Sequence, residues 1–212
     1  MNTSHRNWNI LYWNIRGING EDKWDAVRKK IEESACSIVC IQETKRENFD
    51  SRYIRKFALR RFDKYDYIPS VGASGGILVL WNSSVFSGIT KEKQAFALYL
   101  QFTSTHNQET WSLINVYGPC QEPARSTFTS WLKDLQLDPT ENLLLLRDFN
   151  FYRSLENRNR PGGNLQDTII FNEIIGHLAL VELPLKGRAF TWSNMQEDPL
   201  LEQLDWFFTS LH

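Results

Sequence analysis

From Leu143 to Leu146 the chain carries four consecutive leucines, the centre of an apolar run over Asn142–Leu146. Four leucines in succession suit a strand buried on both faces, because an amphipathic helix or a half-exposed strand would interrupt them with polar residues. Along the chain, short apolar runs of this kind alternate with helical stretches, the pattern of an α/β domain. The rest of the pattern agrees. Trp8–Trp13, Ser37–Gln42, Asp66–Pro69, Gly76–Trp81, Phe96–Phe102, Thr110–Val116, Ala189–Trp192 and Leu204–Thr209 read as strands. Helical spacing predicts helices over Glu21–Ala35, Phe49–Leu59, Arg125–Leu135 and Leu165–His177, the last capped by Asn164. In the first helix, acids open the helix, and Arg28, Lys29 and Lys30 follow toward the end the macrodipole favours for cations.

Several strands end on a polar residue of catalytic type: Asn14, Glu43, Tyr117, and Asp148 with Asn150. Loops at strand ends, held by a rigid sheet, are where sites are built. The residue types suit phosphodiester hydrolysis. Glu43 is a hard oxygen ligand for Mg²⁺, which takes one or two protein carboxylates and keeps several waters. Asn14 can orient that carboxylate or touch a phosphate. Asp148 can hold an attacking water, while Asn150 and Tyr117 are neutral donors for a developing oxyanion. Neither a Walker-type Gly-rich loop with Lys nor a Gly-x-Ser-x-Gly elbow occurs in the sequence.

Charge narrows the partners only partly. Lys plus Arg number 24 and Asp plus Glu 25, a net charge of −1, which gives no bulk attraction to nucleic acid and points to modest, salt-sensitive affinity. Cys36, Cys40 and Cys120 read as buried, reduced thiols of a reducing compartment, with no disulfide-linked partner. No apolar run is long enough for a signal peptide or a membrane span, so an intracellular protein, nuclear or cytoplasmic, without a membrane partner is expected. The 8 Trp and 13 Phe residues fall mostly within periodic apolar segments, which favours core packing over a base-stacking platform.

Six ordered motifs carry a resemblance. They are Leu11-Tyr12-Trp13-Asn14-Ile15-Arg16-Gly17, Ile41-Gln42-Glu43-Thr44, Gly75 through Trp81, Asn115-Val116-Tyr117-Gly118-Pro119, Asp148-Phe149-Asn150, and Leu204-Asp205 with Phe207-Phe208. Together they resemble the endonuclease/exonuclease/phosphatase superfamily. Arg160-Pro161-Gly162-Gly163, Leu183 through Gly187 and Phe190 through Ser193 are most similar to plant non-LTR (LINE-type) retrotransposon endonuclease domains.

The resemblance implies an α/β (α+β) four-layer sandwich of two mainly antiparallel or mixed β-sheets flanked by helices, with residues 1–212 as a single, C-terminally incomplete domain lacking the final strands. It implies a Mg²⁺-dependent DNA endonuclease, with Mn²⁺ as a possible substitute, that nicks DNA beside a reverse transcriptase domain in a longer polyprotein. Glu43 and Asn14 would serve the metal. Asp148, Asn150, Tyr117, Asn14 and Asp205 would be catalytic, Asp205 by pairing with a histidine. Tyr117, Asn150 and Arg16 would contact phosphate or DNA.

Three departures from the pattern temper the implied activity. The family's closing Ser-Asp-His motif is not reached before His212, seven positions after Asp205, and His5, His106, His177 and His212 do not match it. The glycine expected before Asp148 is Arg147, and the arginine expected after Asp205 is Trp206. Activity impaired in this chain is therefore expected, with an exposed sheet edge. A non-catalytic transposon-derived remnant that binds nucleic acid weakly, and a phosphatase branch of the same superfamily, are the alternatives.

Overall fold

The computed structural model describes residues 8–72 and 74–211. The chain divides into two compact units, Met1–Glu109 and Thr110–His212.

The first unit contains β1 (Ile10–Asn14), α1 (Glu21–Ser34), β2 (Ile38–Gln42), α2 (Ser51–Ile54), β3 (Lys64–Val71), β4 (Ser74–Trp81), β5 (Phe86–Gln94) and β6 (Ala97–Ser104). Four strands form a mixed sheet in the order β1-β2-β4-β3, with β1 and β2 parallel and the other pairs antiparallel. Strand β2 is buried along its whole length and lies at the sheet's centre. Val27 and Ile31 of α1 are buried with Val39, Ile41, Leu78 and Phe57 in one apolar cluster. Each such side chain contributes about 1.5–3 kcal/mol by leaving water. Strands β5 and β6 pair antiparallel, with a register shift between Thr90 and Glu92.

Two expectations for this unit need correction. The helix over Phe49–Leu59 is a single turn, Ser51–Ile54, capped by Asp50, whose carboxylate accepts from the Tyr53 N–H at 2.6 Å. Beyond it, both Phe57 and Ala58 donate to the Ile54 carbonyl, which closes the chain into turns and drives Phe57 and Phe62 into the core. In α1 the cations stand before the last turn, which holds no base, so they do not serve the dipole there. Lys30 instead pairs with Glu33 at 2.8 Å.

The second unit contains β7 (Thr110–Tyr117), α3 (Ala124–Asp134), β8 (Leu143–Asp148), α4 (Leu165–His177), β9 (Val181–Glu182), β10 (Trp192–Ser193), β11 (Leu201–Glu202) and β12 (Asp205–Thr209). Its mixed sheet runs β7-β8-β12-β9, with β7 and β8 parallel and β12 antiparallel to both neighbours. Strands β10 and β11 form a small hairpin. Asn164 caps α4 as expected, accepting from Gln166 and Asp167 N–H groups. The core is aromatic. Phe171 lies 5.2 Å from Phe149 and 5.3 Å from Phe151 between ring centroids, and Phe149 lies 5.6 Å from Phe208. The aromatic richness of this half is thus core packing.

The two mixed sheets with four helices make this an α/β fold of the expected class. No helix among the described residues is long and apolar enough to cross a membrane.

Candidate functional site

In the first unit, β1 and β2 are parallel neighbours in register Asn14↔Gln42, so Asn14 and the residue after Gln42 emerge at the same end. Glu43 leaves the strand in a left-handed conformation, φ 49°. That turn brings its carboxylate to Asn14, whose Nδ2 donates to Glu43 Oε1 at 2.7 Å. The Asn14 Oδ1 accepts the Arg16 N–H at 3.3 Å, which fixes the amide's orientation from both sides. Past the strand ends the two segments stay joined, Gly17 N–H donating to the Glu43 carbonyl at 2.7 Å. Arg16 is exposed, with φ 52°.

This donor set fits a magnesium ion. It offers one oriented carboxylate and a neutral amide, hard oxygen chemistry with few protein ligands, as Mg²⁺ prefers. No group of three or more His, Cys, Asp or Glu side chains that could cage a metal occurs among the described residues.

In the second unit, the register aligns three polar residues in one transverse row. Tyr117 lies opposite Asp148 on one side, and Asp205 lies opposite Asp148 on the other. Opposed residues on neighbouring strands share a face and stand close together. The local sequence explains why the polar groups point away from the core. In Asp148-Phe149-Asn150-Phe151 the two phenylalanines are buried in the aromatic cluster, which leaves the alternate positions for the site. Asn150 is held in a left-handed conformation, φ 54°, which Asn tolerates better than most residues. Its Nδ2 donates to the Gly118 carbonyl at 2.5 Å, and its N–H donates to Asp148 Oδ1 at 3.2 Å.

Arg147 occupies the position where glycine was expected, and its φ of 133° is a conformation glycine tolerates far better. The side chain is nearly buried, 9% exposed, and its Nε lies 3.0 Å from Asp205 Oδ1. Burial pulls the guanidinium down to about 10, against the pull of Asp205 and Asp148 in the other direction and with Arg188 adding to the fall. It remains a cation at neutral pH. Asp205 is therefore partnered by Arg147. Trp206, in the place of the expected arginine, is buried and donates its indole N–H to the Phe151 carbonyl at 2.8 Å.

Sequence reading missed Arg125, whose Nη1 donates to the Asn150 carbonyl at 3.1 Å while Nη2 pairs with Asp167 at 2.7 Å. Its guanidinium also lies over the Phe151 ring, 3.8 Å from the centroid. Nothing in its neighbourhood in sequence marked it. Of the histidines, His106 and His177 are exposed, in a turn and at the end of α4, while His5 and His212 lie outside the described residues. Cys36 and Cys40 are buried, and burial, then the neighbouring Cys36, pushes the Cys40 thiol well above the ordinary range. Cys120 is exposed, which corrects the expectation of three buried thiols.

Comparison with known proteins supports the motif reading at the level of fold. No family model matches the chain. A stretch of 110 residues is 27% identical to an uncharacterized 149 kDa protein of transposon TX1 from Xenopus laevis, covering 49% of this chain and 8% of that protein. Among solved structures, the AP endonuclease LMAP from Leishmania major superposes with a TM-score of 0.70 at 14% identity, over 96% of this chain and 79% of that one. The endonuclease domain of TRAS1, a telomere-specific non-LTR retrotransposon, gives a TM-score of 0.69 at 12% identity, over 97% and 86%. The chain has the fold of the endonuclease/exonuclease/phosphatase superfamily.

Proposed function

We propose that residues 1–212 form one Mg²⁺-dependent endonuclease domain of the LINE-retrotransposon type. In this reading the domain nicks DNA within the cell as part of a longer polyprotein with a reverse transcriptase, and Mn²⁺ can replace Mg²⁺. The observation that carries the reading is the transverse row Tyr117–Asp148–Asp205 with Asn150 locked beside it. Likeness to a transposon protein and to a retrotransposon endonuclease domain supports the LINE assignment.

Glu43, oriented by Asn14, would hold the cation, which supplies charge neutralisation on the phosphate when bound. Asp148 accepts a hydrogen bond from the attacking water and sets its direction, a contribution of the order of 10²–10⁴-fold for a positioned acid–base group. One N–H of the Asn150 amide is committed to Gly118, which leaves the second aimed by that bond for the developing oxyanion. Tyr117 supplies a further hydroxyl donor, and Arg16 a flexible cation for the strand.

The Arg147–Asp205 ion pair favours a second reading, a chain that binds nucleic acid with little or no turnover. Asp205 held by a buried guanidinium is withdrawn from pairing with a catalytic imidazole. The test is nicking of supercoiled plasmid with Mg²⁺ and with chelator, beside Glu43→Ala. Mg²⁺-dependent nicking that disappears in the variant supports the endonuclease; a folded wild type as silent as the variant leaves the binding reading.

A further inference from the structure

A polar hollow lies in the first unit, beside the segment that follows Glu43. Its volume is about 480 Å³, and Asn19, Lys45, Arg46, Glu47, Asn48 and Ser70 line it. The two cations outnumber the single acid, so the hollow carries a net positive charge. Its walls are fixed. Ser70 N–H donates to the Arg46 carbonyl at 3.0 Å, and Lys45 N–H donates to the Gly75 carbonyl at 3.1 Å. Asn19 Nδ2 holds the Lys45 carbonyl at 3.0 Å. Arg46 is pinned as well: its Nε donates to the Asn48 carbonyl at 2.7 Å, and its guanidinium lies 3.5 Å from the Tyr53 ring centroid.

Within this rigid frame Ser70 stands out. It is 5% exposed, and its Oγ has no hydrogen-bond partner among the described residues. A buried hydroxyl without a partner is destabilising and persists only for a reason. Gly76 packs close to this segment: a Cβ there would come 2.2 Å from Thr44 Oγ1 and 3.3 Å from the Ser70 nitrogen.

We infer that this hollow is a phosphodiester subsite that anchors the nucleic-acid backbone. Ser70 Oγ donates to a phosphate oxygen, and Lys45 and Arg46 neutralise its charge. Contacts of this kind position a strand without reading its sequence. The inference rests on the nucleic-acid reading above but not on turnover.

The experiment is fluorescence anisotropy of a labelled single-stranded DNA of about 20 nucleotides, longer than a typical single-strand site. It uses the full chain in EDTA across a salt series. Wild type binds saturably. Lys45→Ala lowers the salt slope by about 0.7, the loss of one phosphate contact on a single strand. Ser70→Ala weakens binding about 10-fold, as expected for a hydrogen bond to a charged group, while its melting temperature stays level or rises because an unsatisfied hydroxyl is gone. No saturable binding, an unchanged slope in Lys45→Ala, or a Ser70→Ala chain that melts lower and binds as wild type overturns the subsite. So does inorganic phosphate that displaces the oligonucleotide at equal phosphate concentration. A chain that binds as described in EDTA but never nicks with Mg²⁺ upholds the subsite and defeats the catalytic reading alone.

Discussion

Arg147 Nε lies 3.0 Å from Asp205 Oδ1, across the antiparallel pair β8 and β12, with both side chains about one-tenth exposed. In regular register Arg147 faces Trp206, and Asp205 faces Asp148, so alternation would set Arg147 and Asp205 on opposite faces. The unusual φ of 133° at Arg147 departs from that alternation. The same contact brings a cation to a row where two carboxylates stand directly opposed, an arrangement that is otherwise repulsive.

The backbone at Arg147 should therefore carry strain of about 1–3 kcal/mol. Arg147→Ala loses the ion pair and keeps the strain, whereas Arg147→Gly loses both. Urea unfolding is expected to find Arg147→Gly more stable than Arg147→Ala by about that amount. Equal stability of the two variants would show that φ 133° is unstrained.

The ion pair should also appear as coupling. Asp205→Asn leaves a buried guanidinium short of one counter-charge, which is expected to destabilise by about 3–5 kcal/mol. In an Arg147→Met background the same substitution should cost about 1–3 kcal/mol less. Additive effects in the double-mutant cycle would mean that the contact contributes nothing.

Thiol chemistry tests the burial pattern. Cys120 is exposed, whereas Cys36 and Cys40 are buried and the Cys40 thiol is pushed up by that burial. Because the thiolate is the reactive form, an Ellman-type titration at neutral pH is expected to find one reactive thiol in the native chain and three in denaturant. Rapid native reaction at all three would place Cys36 or Cys40 nearer the surface.

The aromatic core beneath Asp148 and Asn150 should matter to both stability and site. Phe171 is 1% exposed and packs against Phe149 and Phe151. Phe171→Ala is expected to destabilise by about 3–5 kcal/mol, read in chemical unfolding. A loss well under 1 kcal/mol would contradict the packing described.

Much of this was legible in the sequence because it rests on local signals. The α4 helix with its Asn164 cap and the buried run in β8 follow from periodicity and capping. Strand β5 was not legible. Its segment Ser87–Gln94 is largely polar and exposed, without alternation, and it is a strand because β6 pairs with it. The helical spacing of Phe49, Tyr53 and Phe57 predicts a longer helix than α2, and the core takes up Phe49 and Phe57 through turns instead. The Arg147–Asp205 contact joins residues far apart in sequence. The expected glycine marked only that position 147 was unusual, and the partner became visible only with the strand register.

The most direct measurement is plasmid nicking at matched protein concentration in Mg²⁺ for wild type, Arg147→Gly and Asp148→Asn, each checked for folding by circular dichroism. With Asp148 directing the water, wild type should nick in Mg²⁺ and Asp148→Asn should fall by about 10²-fold or more, while Arg147→Gly, which frees Asp205 but gives it no imidazole to pair with, should nick at about the wild-type rate. A folded Asp148→Asn chain that nicks as well as wild type would contradict the account.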